Sequence, residues 1–327
     1  MPMTAQTSAT ATAPAGTKTY KLLLIDDESS IRDNLKEYLE NHHHVGSGYS
    51  LSVDEAATVA EGVDCLKTTA YDLVISDINL PDSNGFELLR QARAMYPGIK
   101  AALITAYDLD SYIRMAKEDH IYNIITKTAP FNFEELSRTV HNLLFPDEAM
   151  GLETYLEVGA SQIEHRVMKN SDDIMKVHAE LVAFMKPFDL PDHDALSVVM
   201  VEALTNAVYH APRDEAGEEK YIKGEHIDQL LESETVDVKW GVDGDKLGVS
   251  IRDKFGAVKA SDVLFWLDRN ISGESIFDTH GRGMYLIHRL THRVIVNLWR
   301  GKSTELILLH YLSDPPADNK PLAINEF

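Results

Sequence analysis

The sequence contains a single cysteine, Cys65, which excludes an internal disulfide bond. So little cysteine is typical of proteins in a reducing compartment, and we expect a cytoplasmic location. No run of about 18 uncharged apolar residues occurs, so we predict that the chain neither spans nor inserts into a membrane. Residues 1–18 lack an apolar core and any basic residue before Lys18, which predicts a disordered tail and not a secretory signal.

Basic residues are also scarce, because 31 Lys and Arg face 52 Asp and Glu, for a net charge of −21. Nucleic acids and anionic membrane surfaces attract basic faces, so this balance argues against both as partners. The length of 327 residues predicts two domains of ordinary size. A composition of 44% hydrophobic and 25% charged residues is typical of globular proteins.

Short apolar runs alternate with helical patterns in the first half of the chain. The runs are KLLLI (21–25), a short one at 51–53, YDLVISD (71–77), AALITA (101–106) and YNIIT (122–126). This alternation predicts an α/β fold, a doubly wound parallel five-stranded sheet. Sites in such sheets lie at the carboxyl ends of the strands.

Five chemically distinctive residues fall at those strand ends: Asp26, Asp27, Asp77, Thr105 and Lys127. Three carboxylates at one sheet edge repel one another unless a cation lies among them, and oxygen ligands suit Mg²⁺. A lysine and a hydroxyl beside them are suited to phosphoryl oxygens. Acids that merely cap helix N-termini are the alternative, but this accounts for only one or two of the positions.

The stretches LLLIDDE, DLVISDINLPDSNGFELL, LITAYD and ITK resemble the receiver domain of bacterial response regulators, over residues 20–144. The resemblance implies that Asp77 accepts a phosphoryl group from a cognate histidine kinase or phosphotransfer protein. It also implies that Asp27 and Asp77 bind Mg²⁺, with Asp26 acting through water and the Asn79 carbonyl as a further ligand.

The same resemblance implies that Thr105 follows the phosphoryl group and that Lys127 pairs with it. Two positions differ from the family pattern. The proline that usually follows the lysine is displaced to Pro130, and Ile124 stands where the family carries an aromatic switch residue. The sequence therefore favours phosphorylation more clearly than it favours the usual aromatic output switch.

The second half combines helical patterns with later strand pairs, which predicts an α/β sandwich. Two helices are expected between residues 171 and 211, followed by strand pairs at 236–253 and 291–312. No Gly/Ser-rich spacer joins the halves, so we expect a helical linker that could also form a homodimer seam. The predicted segments are a tail (1–18), a receiver domain (19–145), a linker (146–160), a second domain (161–315) and a C-terminal tail (316–327).

The run VEALTNAVYH (201–210) places Glu202, Asn206 and His210 four residues apart, on one face of a helix. Asp253 ends a predicted strand, and the glycine pair of GRG (281–283) opens a predicted helix whose amides can cradle phosphate. Asn206 could ligate Mg²⁺, Glu202 could act as a base, and Asp253 could accept a hydrogen bond from adenine. The alternative for the stripe is a solvent-facing helix; His210 is expected only to close the helix end.

VEALTNAVYHA, HGRGMYLI and GKSTELIL resemble the N-box, second glycine box and final strand of the GHKL (Bergerat-type) ATPases, over residues 161–312. The resemblance is closest to the anti-sigma-factor, serine-kinase branch of SpoIIAB-like and RsbW-like proteins. It implies ATP binding with Glu202 as the base. The implied nucleotide contacts are Asn206, Asp253, Gly256, Gly281, Arg282, Gly283 and Thr304.

Two features of this half differ from the family. Phe255 and Ala257 stand where the first glycine box usually has glycines, so either Phe255 crowds the adenine or the loop is shifted. An acidic insertion at 214–234 follows the N-box, and we expect it to be a solvated surface feature or a partner contact.

The leading hypothesis is a response regulator whose output is an anti-sigma-like serine/threonine protein kinase or partner-switching domain. Its partner would be an antagonist protein or a sigma-factor-like protein. One alternative is a non-catalytic, phosphorylation-controlled binding switch with a degenerate ATP site. Another is a histidine kinase with an N-terminal receiver, which would use His165 in the run IEHRVMKN.

Overall fold

The computed structural model describes residues 18–41, 48–146, 151–156, 162–188, 190, 192–271, 282–312 and 320–327. The predicted N-terminal tail before residue 18, Gly281 and most of the predicted linker lie outside these ranges. Within them, no helix has the length and apolarity that a membrane crossing requires.

The first half forms a parallel five-stranded sheet in the order β2-β1-β3-β4-β5, which confirms the predicted fold class. Its strands are β1 (Lys18–Ile25), β2 (Tyr49–Ala56), β3 (Leu73–Asp77), β4 (Lys100–Thr105) and β5 (Asn123–Thr126). Its helices are α1 (Ser29–Asn41), α2 (Val59–Thr68), α3 (Gly85–Met95), α4 (Ile113–Glu118) and α5 (Phe133–Leu144).

Helices cover both faces of this sheet. Alternate residues of β1 belong to different core clusters, with Leu23 and Ile25 in one and Leu22 and Leu24 in the other. Since successive side chains of a strand point to opposite faces, a continuous apolar run is what a strand buried on both sides requires. The polar residues that follow each strand therefore lie outside the apolar core, at the edge of the sheet.

The second half is an antiparallel sheet in the order β9-β10-β8-β7-β6, with four longer helices on one face. The strands are β6 (Glu164–Met168), β7 (Val236–Val242), β8 (Lys246–Asp253), β9 (Arg293–Trp299) and β10 (Ser303–Tyr311). The helices are α6 (Leu152–Tyr155), α7 (Asp172–Met185), α8 (His193–Thr205), α9 (Ala260–Ile271) and α10 (Arg282–Leu290). The short α6 packs on the opposite face, against Ile295 and Ile307.

The C-terminal segment corrects the prediction of a tail at 316–327, because its residues form a strand, β11 (Leu322–Glu326). This strand pairs in parallel with β9 and in antiparallel fashion with β5. The backbone N–H of Ile324 donates to the carbonyl of Tyr122 at 3.0 Å. Both halves are thereby joined in one 11-stranded sheet, which the separate sequence patterns did not predict.

A buried ion pair lies at the junction of the two halves. The guanidinium of Arg293 on β9 donates to Glu135 on α5 at 2.6 Å, and their side chains are only 3% and 5% exposed. The ring of Tyr155 from α6 lies 5.3 Å from the same guanidinium. A buried pair of this kind costs stability when one partner is removed, because the other charge stays buried.

We expect Arg293→Met to lower the free energy of unfolding by about 3 kcal/mol or more, because Glu135 loses its partner in a dry environment. Arg114→Met is the matched control, since Arg114 also pairs across the junction, with Asp268, but is 62% exposed. The control should change stability by less than about 1 kcal/mol. Urea unfolding of the full chain measures both, and equal losses would show that the buried pair has no special role.

Candidate functional site

The structure brings the acidic residues at the ends of β1 and β3 together. Carboxylate oxygens of Asp26, Asp27 and Asp77 all lie within 4.8 Å of one another, with Asp26 and Asp77 buried and Asp27 exposed. Three carboxylates this close, with one open to solvent, form a donor set of the kind that Mg²⁺ prefers. The residues present therefore fit the cation that the sequence implies.

Lys127, just after β5, supplies a positive charge to the same cluster. Its Nζ lies 2.7 Å from Asp26 and 3.3 Å from Asp77. Burial raises the pKa of Asp77 to about 6, and although Lys127 opposes this shift, Asp26 adds to it. Burial lowers the pKa of Lys127, but the contacts with Asp26 and Asp77 outweigh it, so the net shift is upward. Asp77 is thus a poorly solvated carboxylate held beside a fixed cation.

Thr105 and Asn79 lie next to this cluster along the chain. Thr105 is fully buried at the end of β4, and its hydroxyl accepts a hydrogen bond from the N–H of Tyr107 at 3.1 Å. The N–H of Lys127 donates to the carbonyl of Thr105 at 2.7 Å, so these two residues are adjacent. Asn79 follows Asp77 by two residues, and its side-chain amide donates to the hydroxyl of Tyr112 at 2.9 Å.

A cavity of about 250 Å³ opens in the second half, between β8 and β10 on one side and helices α8, α9 and α10 on the other. It is lined by Glu202, Ala203, Asn206, Ala207, His210, Ala211, Arg213, Glu219, Lys223, Ile251, Asp253, Val258, Trp266, Gly283, Met284, Ile287, Thr304 and Leu306. Apolar walls with a few polar groups are typical of sites for small organic ligands.

The stripe predicted on one helix face lines this cavity, although the helix does not continue regularly. α8 ends at Thr205, and Asn206–His210 form a π-helical turn, a feature that is frequent at functional sites. Glu202, Asn206 and His210 all remain on the cavity wall. The solvent-facing alternative for the stripe is therefore wrong, and His210 belongs to the wall too.

The start of α10 meets this stripe at Gly283. A Cβ atom at that position would lie 2.5 Å from Glu202 Oε1 and 2.9 Å from Asn206 Nδ2, so only glycine permits the approach. Arg282 begins the same helix. The N-terminal amides of α10 are therefore beside Glu202 and Asn206, where they are suited to an anionic ligand.

Asp253 and Thr304 form the polar part of the strand side. Asp253 Oδ1 accepts hydrogen bonds from the N–H groups of Phe255, Gly256 and Thr304, at 2.8, 3.1 and 3.3 Å. Burial raises the pKa of this carboxyl in spite of these bonds. The hydroxyl of Thr304 is also buried and lies close enough to Asp253 to lower the pKa of that carboxyl. A ligand with both donor and acceptor groups would complete this pair.

One expectation for the loop after β8 needs correction. Gly256 does not line the cavity; it has φ +61°, and a Cβ there would lie 2.2 Å from the carbonyl of Trp299. Its role is to let the loop pack against the β9–β10 turn. Phe255 is also absent from the cavity wall, which favours the alternative of a shifted loop.

Most of the acidic insertion at 214–234 is solvent-exposed, as predicted, but three of its side chains are buried. Ile227 and Leu230 are 6% and 3% exposed, and Glu234 is buried with bonds from Lys220 and Tyr221. This packing fixes the insertion against the helices beside the cavity.

His165 lies on an exposed edge strand and not on a helix. Its Nε2 is 2.8 Å from Asp237 Oδ1 on the neighbouring β7. The run that contains His165 therefore forms a strand, β6, and a phospho-accepting helix is not formed at this position.

His288, on the side of α10 next to the junction, is a buried titratable group. Burial lowers its pKa from 6.5 to about 4, and Lys320 and Arg289 add to the shift. The unfolded imidazole titrates near 6.5, so protons bind the unfolded chain better. Its stabilising contribution is therefore complete above that pH and is lost as the pH falls toward 4.

We expect the free energy of unfolding to drop by roughly 2–3 kcal/mol for this histidine across that window. His288→Leu should flatten part of the pH dependence, leaving the contribution of His310, whose pKa is also lowered to about 4 by burial. The exposed His226→Leu serves as the control. Urea titrations at pH 7.5 and pH 5 provide the measurement, and an unchanged slope in His288→Leu would contradict this assignment.

Comparisons with known proteins agree with this division. Residues 22–141 match the family model for the response regulator receiver domain, and residues 170–309 match that for the histidine kinase-like ATPase domain. The sensor kinase CckA of Brucella abortus is 30% identical over 125 residues, which is 38% of this chain and 12% of the relative. The response regulator Rre1 of Synechocystis is 32% identical over 130 residues, 39% of this chain and 53% of the relative.

Among solved structures, the chemotaxis response regulator CheY4 of Vibrio cholerae shares 27% identity. The match covers 39% of this chain and 100% of that one, with a TM-score of 0.33. The chain spans less than two thirds of the length of the curated relatives it matches. Residues 22–141 are thus a response regulator receiver domain, and residues 170–309 are a histidine kinase-like ATPase domain in the same chain.

Proposed function

We propose that this protein is a response regulator that is phosphorylated on Asp77 and whose ATPase domain is an ATP-dependent serine/threonine protein kinase of the anti-sigma type. The observation that carries the proposal is that α9 and α10 each contact the receiver half on one side and line the cavity on the other. The two candidate sites are therefore physically connected.

The receiver step uses the cluster around Asp77. A carboxylate oxygen of Asp77 forms a bond to phosphorus while the P–N bond of a phosphohistidine donor breaks, and the leaving imidazole takes up a proton. Asp26, Asp27 and Asp77, with the Asn79 carbonyl, would hold a Mg²⁺ ion that neutralises the phosphoryl oxygens. Lys127 Nζ, already 3.3 Å from Asp77, pairs with the new phosphoryl group.

Phosphorylation replaces the single negative charge of the Asp77 carboxylate with a phosphoryl group of about −1.5 to −2 and adds acceptor oxygens. The hydroxyl of Thr105 is the nearby neutral donor, and its movement displaces the segment that follows β4. Five residues later, Asp110 contacts Arg289 on α10 at 3.4 Å. The next helix, α4, reaches α9, where Lys117 and Arg114 both pair with Asp268.

These contacts lead directly to the cavity. Asp268 and the cavity-lining Trp266 are two residues apart on α9, and Arg289 shares α10 with Gly283 and Ile287. A shift of α4 therefore reaches the cavity through two rigid helices, which is a physical route for coupling. It does not require the aromatic switch residue that Ile124 replaces, because Ile124 is buried beside β11.

We assign the cavity to ATP. The apolar wall and the pair of Asp253 and Thr304 suit adenine, with the Asp253 carboxylate accepting from the amino group. Asn206 would hold the Mg²⁺ of the nucleotide, and the amides around Gly283 would bind its phosphates. Glu202 takes the proton of a serine or threonine hydroxyl as the new O–P bond forms and the bond between the β and γ phosphates breaks.

The protein substrate is an antagonist or a sigma-factor-like partner. The test uses ATP labelled in the γ position, the purified full chain, and protein captured from its host. Acid-stable label on a partner, lost in Glu202→Gln, is expected. Acid-labile label on the chain itself that disappears in His165→Ala would instead support a histidine kinase.

A second candidate function is a nucleotide-gated binding switch without phosphoryl transfer. The observation that favours it is an ion pair of 3.2 Å between Lys223 and Glu202, which neutralises the candidate base. Under this alternative ATP binds, but no partner gains label.

A further inference from the structure

Two cationic side chains lie on the cavity wall, Lys223 within the insertion at 214–234 and Arg213 directly before it. Arg213 and Glu219 are joined by an isolated β-bridge, and the hydroxyl of Tyr209 donates to the carbonyl of Glu225 at 2.6 Å. Beyond these contacts, the N–H of Leu230 donates to the carbonyl of Lys169 at 2.7 Å. The insertion is thus anchored at both ends and in between, and Lys223 lies within the anchored stretch.

Lys223 contacts the residue assigned as the base. Its Nζ lies 3.2 Å from Glu202 Oε2, and both side chains line the cavity together with Asn206 and Gly283. The Lys223 side chain is 51% exposed, so it can change partner without unpacking. Arg213 lines the same wall, 3.8 Å from Glu219 Oε1.

The rest of the cavity wall carries acidic side chains, which would repel an anionic ligand unless cations offset them. Among the lining residues of known side-chain placement, Glu202, Glu219 and Asp253 are acidic, and the chain as a whole has a net charge of −21. A nucleotide polyphosphate brings several further negative charges into this setting. Lysine and arginine form the charge-assisted hydrogen bonds that such a group requires, and Lys223 and Arg213 are the lining residues that supply them.

We propose that Lys223, with Arg213, binds the polyphosphate of the nucleotide, and that Lys223 leaves Glu202 when it does so. The inference rests on the proposed function of the cavity as an ATP site. In the resting state Lys223 holds Glu202 as an ion pair. With nucleotide present the ammonium group moves to the phosphate oxygens, and Glu202 becomes a free carboxylate. Nucleotide binding therefore changes Glu202, through Lys223 of the insertion, from an ion-paired to a free carboxylate.

The test measures binding of the non-hydrolysable analogue AMP-PNP and of adenosine by calorimetry, at saturating Mg²⁺, in the full chain. Lys223→Gln should weaken AMP-PNP binding by about tenfold and leave adenosine binding unchanged, because only the analogue carries phosphates. Lys223→Arg should restore most of the affinity. Lys176→Gln is the matched control and should have no effect. It removes the charge of a lysine on α7 whose side chain is 66% exposed.

A double-mutant cycle with Glu202→Gln separates phosphate binding from a role through Glu202 alone. The tenfold loss should persist in the Glu202→Gln background. Loss of the effect there, or equal weakening of adenosine and AMP-PNP, would overturn the inference while leaving ATP binding intact. Equal AMP-PNP affinity in wild type and Lys223→Gln would do the same. Failure of the wild-type chain to bind AMP-PNP would instead remove the proposed function, and the inference with it.

Discussion

Asp77→Asn abolishes phosphorylation of the chain by a small-molecule phosphoryl donor such as acetyl phosphate. The carboxylate of Asp77 is the nucleophile that we assign, and the substitution replaces it with an amide. An amide cannot form the acyl phosphate. Intact-protein mass spectrometry after incubation with donor and Mg²⁺ detects the added phosphoryl group. The expected result is complete modification of wild type over time and none of the variant.

The fold should survive this substitution. Burial already disfavours the ionised form of Asp77 and raises its pKa to about 6, so a neutral isostere relieves desolvation, while Lys127 keeps its contact with Asp26. Asp64→Asn, at an exposed acid on α2, is the control and should be phosphorylated normally. Label that persists in Asp77→Asn would place the acceptor elsewhere.

Asn206→Ala lowers the affinity for ATP in the presence of Mg²⁺ by roughly 10–100-fold, the range expected when a group that supports a bound metal is removed. Asn206 lies on the cavity wall beside Gly283, and its loss removes the amide oxygen assigned to Mg²⁺. Calorimetric titration with ATP measures the change.

The control for this prediction is Thr205→Ala. Thr205 is the neighbouring residue, does not line the cavity, and bonds the carbonyl of Val201 within its own helix. It should retain ATP affinity. A second control repeats both titrations without Mg²⁺, where wild type and Asn206→Ala should converge. A variant that binds Mg²⁺–ATP as tightly as wild type would show that Asn206 has no role in the site.

The acidic cluster could be predicted because its position depends on short sequence patterns that are read one strand at a time. Each buried strand of a parallel sheet is recognisable in the sequence as an apolar run. The residues that directly follow the run lie at the carboxyl end of the strand. Asp26, Asp77 and Lys127 therefore lie at one edge once the strand order is accepted. The polar stripe of Glu202 and Asn206 was predictable for a similar reason, since a spacing of four residues keeps one helix face even through the π-helical turn.

The features that were missed depend on contacts between distant parts of the chain. β11 is a five-residue strand whose alternation is too short to distinguish it from a tail, and only its two neighbours, β5 and β9, define it. The insertion has an acidic composition typical of a solvated loop, yet Ile227 and Leu230 are buried by α7 and the segments near it. Lys223 is one of several lysines in the sequence, and only the folded insertion brings it to Glu202.

Phe255 shows what a motif alone leaves open. A bulky residue at this position either crowds adenine or accompanies a shifted loop, and the pattern carries no information about loop direction. The loop turns at Gly256 toward Trp299 and leaves the cavity wall to Val258 and Trp266. A departure from a motif therefore has to be judged by where the side chain lies.

Phosphorylation of Asp77 is expected to change the ATP site across the junction of α4, α9 and α10. The most direct measurement is the ATP affinity of the wild-type chain with Asp77 phosphorylated and unphosphorylated, compared with Asp77→Asn treated in the same way. We expect a difference of about 5-fold or more between the two wild-type states, in the range of ordinary allosteric coupling, and none in the variant. The same ATP affinity in both wild-type states would contradict it.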